Sequence, residues 1–143
     1  MAEVFLDTVY AVALSIRQDS FHEKAVALSQ NLEDSAKKLV TTHAVMFEIA
    51  NALSDVRYRQ SAVRLLETLE TDANVEIVSF SQDLFDKSFQ LYKNRPDKTW
   101  SLTDCMSFIV MIERGITDAL TADRHFSQAG FRVLLRDEGG NNG

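Results

Sequence analysis

The chain has 143 residues, 45% of them hydrophobic, with 15 basic and 21 acidic side chains giving a net charge of −6. That length suits one domain burying roughly two thirds of its unfolded surface, and the acidic balance argues against a broad cationic surface for nucleic acid. The lone Cys105 excludes an internal disulfide or a cysteine-rich zinc site; with neither signal peptide nor membrane span to be read, the cytoplasm is the expected compartment.

Short β-rich runs alternate with stretches of helical period, which predicts an α/β fold with a central, mostly parallel sheet flanked by helices. Val4 to Asp7 reads as the first strand and Val9 to Ile16 as a short helix. Phe21, Ala25, Leu28 and Leu32 then mark one apolar helical face. Leu39 to Thr42 is the second strand, flowing into a helix with Val45, Ile49, Ala52 and Val56 on one side. Ala62, Leu65, Leu66 and Leu69 give another amphipathic helix before a third strand, Val75 to Phe80. Ser81 is the expected N-cap of a helix carrying Leu84, Phe85, Phe89 and Tyr92 and stopping near Pro96. A helix from Ser101 to Arg114 stops at Gly115, and Ala119 to Ala122 and Arg132 to Leu135 complete a sheet of five strands. No repeat or linker interrupts residues 1–136, expected to be a single domain, while 137–143 (DEGGNNG) reads as a disordered tail.

Four carboxylates fall where this topology converges. Asp7 ends the first strand and Asp123 follows the fourth, at the carboxyl edge where open α/β sheets place their sites. Glu48 lies on the helix after strand two, and Asp104 in the first turn of the Ser101 helix. Each has an ordinary alternative: Asp104 as the partner of Ser101 in an S-x-x-D cap, Asp7 as a turn residue, Asp123 as an N-cap, Glu48 as a solvated helix residue. As neighbours, however, two such charges about 5 Å apart repel by roughly 3 kcal/mol at an effective dielectric near 20. A cation relieves that repulsion, and an all-oxygen donor set suits Mg²⁺ or Mn²⁺ rather than zinc.

Four segments then resemble a known family, the PIN-domain ribonucleases, and among them the VapC-type toxins of bacterial toxin–antitoxin pairs. They are F-L-D-T (Phe5 to Thr8), T-T-H-A-V-M-F-E-I-A-N-A-L (Thr41 to Leu53), W-S-L-T-D-C (Trp100 to Cys105) and A-L-T-A-D-R-H-F-S-Q-A-G-F (Ala119 to Phe131). The resemblance spans Val4 to Leu135 and implies a three-layer PIN-like fold over residues 1–136. It also implies an endoribonuclease that hydrolyses RNA phosphodiester bonds with a metal-activated water and is neutralised by a cognate antitoxin. In such proteins the acidic cluster corresponds to Asp7, Glu48, Asp104 and Asp123, with Asp7 and Asp104 holding Mg²⁺ or Mn²⁺ directly and Asp123 and Glu48 acting directly or through water. Thr121, two before the last aspartate, and Thr8, after the first, are the accompanying hydroxyl residues. A homodimer is implied as well. The competing reading is a catalytically silent PIN-like scaffold that binds RNA or a protein partner; a receiver-type phosphoacceptor is disfavoured because Asp7 has no acidic neighbour.

Other features point elsewhere. His22, His43 and His125 lack mutual metal-ligand spacing and are read as structural, Cys105 as a buried small hydrophobe and Trp100 as core. Lys37, Lys38, Arg57, Arg59 and Arg64 read as solvated faces; Lys93, Arg95 and Lys98, close to the Asp104 helix, are better placed to meet RNA phosphates.

Overall fold

Val4, Phe5 and Leu6 are apolar in succession and all buried, the pattern of a strand covered on both faces of a parallel sheet. They form β1 (Glu3–Leu6), the centre of a five-stranded, wholly parallel sheet of order β3-β2-β1-β4-β5. The other strands are β2 (Lys38–Thr42), β3 (Val75–Val78), β4 (Asp118–Leu120) and β5 (Arg132–Val133). Seven helices flank them: α1 (Thr8–Ser15), α2 (His22–Ser35), α3 (His43–Ala52), α4 (Val56–Thr71), α5 (Gln82–Asn94), α6 (Leu102–Arg114) and α7 (Arg124–Gln128). The structure is a computed structural model describing residues 2–136; the expected tail at 137–143 lies outside the described residues.

From β1 the chain first builds outward through β2 to β3, then returns to β1's other side for β4 and β5. The carboxyl ends of β1 and β4 therefore flank a topological switch point, where loops diverge and leave a crevice. Beneath it, Phe108 of α6 meets Trp100 edge-on at 5.0 Å and Phe126 of α7 at 4.9 Å. This aromatic cluster fixes the starts of α6 and α7 relative to the sheet. Trp100 is core, as expected, with its indole N–H donated to Gln128 Oε1 at 2.9 Å. Cys105 is buried, and its thiol is pushed up to about 11 by that burial and by the charge of Asp104.

One expectation about a helix face is corrected, and the packing of α5 settles which of its apolar residues turn inward. Val56 does not continue the α3 face: α3 closes at Leu53, and Asp55 starts α4 by accepting the Arg57 amide at 2.8 Å. The first position of α4 then leaves Val56 90% exposed. On α5 the inward ridge is Leu84, Ser88 and Leu91, packed toward α6. Phe85, Phe89 and Tyr92, one position on, are rotated out to 42%, 42% and 47% exposure. The strands are also shorter than read: β3 stops before Ser79, β4 spans Asp118–Leu120 rather than Ala119 to Ala122, and β5 ends at Val133.

Candidate active site

Three of the four singled-out carboxylates are helix-terminal groups. Asp7 is the N-cap of α1, accepting the Val9 amide at 3.5 Å, and Asp123 is the N-cap of α7, accepting the His125 amide at 2.9 Å. Asp104 completes a capping box with Ser101, each side chain taking the other's amide at 3.0 Å. The cap readings of Asp104 and Asp123 are thus met, Asp7 caps α1 instead of making a turn, and all three helix starts lie at the carboxyl edge of the sheet. Backbone amides and helix dipoles there favour negative charge.

Side chains tie the set together. The buried Thr121 donates to Asp7 Oδ2 at 2.7 Å and accepts the Asp123 amide at 3.0 Å, joining the loop after β4 to the end of β1. Thr8 donates to Glu48 Oε1 at 2.7 Å, anchoring the α3 carboxylate to the start of α1. His125 Nδ1 lies 2.8 Å from Asp104 Oδ2 and 3.5 Å from Asp123 Oδ1, while Nε2 is 3.2 Å from the Thr99 hydroxyl. A carboxylate only accepts, so with Asp104 ionised Nδ1 carries the proton. His125 is the site residue that sequence reasoning missed. Its one signal was a place two residues after Asp123; only the fold reveals that this puts it against α6.

Asp7 is 4% exposed, and its carboxyl is pushed up to about 7. Burial is the main cause, and the charges of Asp104 and Glu48 add to it against the lowering effect of Thr121 and the Thr8 amide. Thr121 and the Val9 amide meet Oδ2 of Asp7, while the bonds to Asp104 fall on Oδ2, that to Asp123 on Oδ1 and that to Glu48 on Oε1. Among the described residues, the other oxygen of Asp104, Asp123 and Glu48 accepts no hydrogen bond. Ligand atoms of Asp104, Asp123 and His125 lie within 4.8 Å of one another, the spacing of a cation site; among the described residues Asp7 and Glu48 do not join that set. They bear on it through the field they share with Asp104.

His22 and His43 stay apart from this cluster: the first bonds the Ala13 carbonyl at 2.7 Å, the second stacks on Phe80. Arg57 pairs with Asp55 and Lys38 with Glu76. Lys93, Arg95 and Lys98 line a cavity that also contains Thr99 and Cys105, the neighbours of His125 and Asp104.

Removing the Thr121 hydroxyl tests the tie between β1 and β4. Thr121→Val leaves the Asp123 amide without its partner and Asp7 without its donor, so a loss of about 1–3 kcal/mol is expected. Urea denaturation in EDTA is expected to give the larger loss at pH 8, where the Asp7 carboxylate needs the donor, than at pH 5.

The chain was compared with known proteins. Residues 4–132 match the model of the PIN domain. The chain is 29% identical over 136 residues to the 23S rRNA-specific endonuclease VapC20 from two strains of Mycobacterium tuberculosis, covering 94% of this chain and 99% of the relative. The crystal structure of Mycobacterium tuberculosis VapC20, a Sarcin-Ricin loop cleaving toxin, superposes with a TM-score of 0.78 at 26% identity, over 90% of this chain and 95% of that one. VapBC2 from Rickettsia felis, crystallised on a promoter DNA fragment, shares the fold at a TM-score of 0.65 and 16% identity, covering 92% and 96% of the two chains. With the five-stranded parallel sheet, the acidic crevice at its switch point and a family match across nearly its whole length, this chain belongs to the PIN domain family.

Proposed function

We propose that this protein is a metal-dependent endoribonuclease toxin of the VapC type, acting on RNA in the cytoplasm and neutralised by a cognate antitoxin. One observation carries the reading: a buried aspartate, Asp7, stands in the field of Asp104 and Glu48 at the switch point, with no cationic side chain among the causes acting on it. Carboxylate oxygens are hard donors, which fit Mg²⁺ or Mn²⁺. The chemistry supplied by such a cation is charge neutralisation at a phosphate oxygen and a lowered pKa for a bound water.

The chain's own residues have separable tasks in this reading. Asp7 and Asp104 would hold the ion, and Asp123 would complete the oxygen set. Glu48, oriented by Thr8, would accept a proton from the attacking water or orient it. Thr121 fixes the Asp7 carboxylate, and His125 fixes that of Asp104 by donating from Nδ1. With Nδ1 engaged by Asp104 and Nε2 beside the Thr99 hydroxyl, His125 acts as a positioning residue in this reading. An apolar groove of about 380 Å³ bounded by Met46, Phe47, Leu66 and Phe80 supports the protein partner, since Phe47 and Phe80 stack on each other while more than half exposed. The VapC likeness also brings a homodimer into the proposal.

Total cellular RNA incubated with the protein and Mg²⁺, Mn²⁺ or EDTA tests the reading. Discrete metal-dependent products are expected, and Asp104→Asn is expected to reduce them by more than about 100-fold. The amide oxygen of asparagine can still accept the Ser101 amide, so the cap and the fold are kept. Equal cleavage by the variant, or cleavage that persists in EDTA, would sink the nuclease assignment; metal binding without cleavage would favour the silent scaffold.

A further inference from the structure

Beside the acidic crevice lies a cavity of about 570 Å³ whose wall includes Phe89, Tyr92, Lys93, Arg95, Lys98 and Trp100. In a chain of net charge −6, this wall contains three cationic side chains and, among the described residues, no carboxylate. Its aromatic members do not serve the core alone. Phe85, Phe89 and Tyr92 form a ladder along the outer side of α5, with ring centroids 5.9 and 6.4 Å apart and planes within 20° of parallel. Burial explains Trp100; it does not explain three aromatic rings held nearly parallel while more than two fifths exposed.

The cations are arranged around those rings. The Lys93 ammonium lies 5.2 Å from the Phe89 centroid, and the Arg95 guanidinium 5.1 Å from that of Trp100. Two hydrogen bonds to Asp97, at 3.0 and 2.9 Å, pin Arg95 as part of the wall. Among the described residues, Lys93 and Lys98 make no salt bridge. Thr99, which bonds His125, and Cys105, which follows Asp104, also belong to the cavity's wall.

Resting on the nuclease reading above, we infer that this cavity is a subsite for an unpaired nucleotide of the RNA substrate, its base stacked on Tyr92 and Phe89 and its flanking phosphates held by Lys93 and Lys98. Aromatic faces recognise bases only when those are out of the duplex stack, so the subsite selects loops and single strands over paired RNA. The two lysines supply the attraction that the acidic crevice cannot. A protein partner fits this wall less well than the apolar groove by Phe47, because protein interfaces deplete charge at their centre. The volume lies in the range of small-molecule sites.

The test measures fluorescence anisotropy of a short labelled single-stranded RNA of mixed sequence, and of the blunt duplex of that sequence, with the full chain in EDTA so that hydrolysis does not compete. Tyr92→Ala is expected to weaken single-strand binding by about 5- to 100-fold, with duplex binding and melting temperature unchanged, and Tyr92→Phe to restore it. Lys93→Ala with Lys98→Ala is expected to reduce the slope of log K against log salt by about 1.4. Wild-type single-strand affinity in Tyr92→Ala, equal loss on both RNAs, no RNA binding by the wild type, or a dimer that dissociates when Tyr92 is replaced would each overturn the subsite. If the wild type binds single strands through Tyr92 yet cleaves nothing with Mg²⁺ or Mn²⁺, the subsite stands and the nuclease reading alone fails.

Discussion

Asp7→Asn is expected to abolish cleavage and, in the same molecule, to stabilise the metal-free fold above pH 7. The rise of the Asp7 carboxyl from 3.8 to about 7 means that the folded state holds its proton more tightly than the unfolded chain does. Stability from this group is therefore complete below about pH 4 and is lost as pH climbs through about 7. The whole swing is roughly 4 kcal/mol, a large share of a typical domain's margin of about 5–15 kcal/mol. Asparagine keeps an acceptor for Thr121 and Val9 and carries no charge to desolvate. Urea denaturation in EDTA from pH 4 to 8 checks this: the variant's advantage is expected to widen up to about pH 7 and then level. An advantage independent of pH would mean that Asp7 is not the charge the fold resists.

The second large effect is the response of the wild type to cations. At hundredfold excess over its dissociation constant, Mg²⁺ or Mn²⁺ is expected to add about 2.7 kcal/mol, raising the melting temperature by roughly 9 °C for a chain of this size. Protons compete at Asp7, so affinity is expected to fall about tenfold per pH unit below about 7. Thermal denaturation at pH 6 and 8, with Mg²⁺, Mn²⁺ or EDTA, measures both. In Asp7→Asn the increment is expected to shrink; an unchanged melting temperature in the wild type at pH 8 would count against a cation among these carboxylates.

Much of this arrangement is legible in the sequence because local rules and topology agree. Ser101, Asp104 and Gly115 mark α6 correctly, down to the left-handed cap at Gly115, and the apolar run at β1 announces a central parallel strand. Alternating strands and helices, combined with the handedness of crossovers, put the carboxyl ends of β1 and β4 on one edge of the sheet; that the two strands are neighbours comes from the observed order β3-β2-β1-β4-β5. Three other things escape this reasoning. An Asp cap can break an apolar period, as Asp55 does between α3 and α4. On α5 two adjacent ridges are apolar, and only the packing against α6 decides that Leu84 and Leu91 turn inward while Phe85, Phe89 and Tyr92 do not. The partnership of His125 with Asp104 joins residues 21 apart through the docking of α7 on α6, a contact with no local signature.

The capping duty shared by Asp7, Asp104 and Asp123 has a consequence for descent. A single-base change turns an aspartate codon into an asparagine codon, and asparagine caps helices about as well. At these three positions such a mutation removes the charge the proposed ion needs and spares the helix start, and at Asp7 it also relieves a buried anion. At Asp7, loss of the charge therefore runs downhill in folding free energy. Inactivation by this route leaves a folded, inert chain rather than an unfolded one.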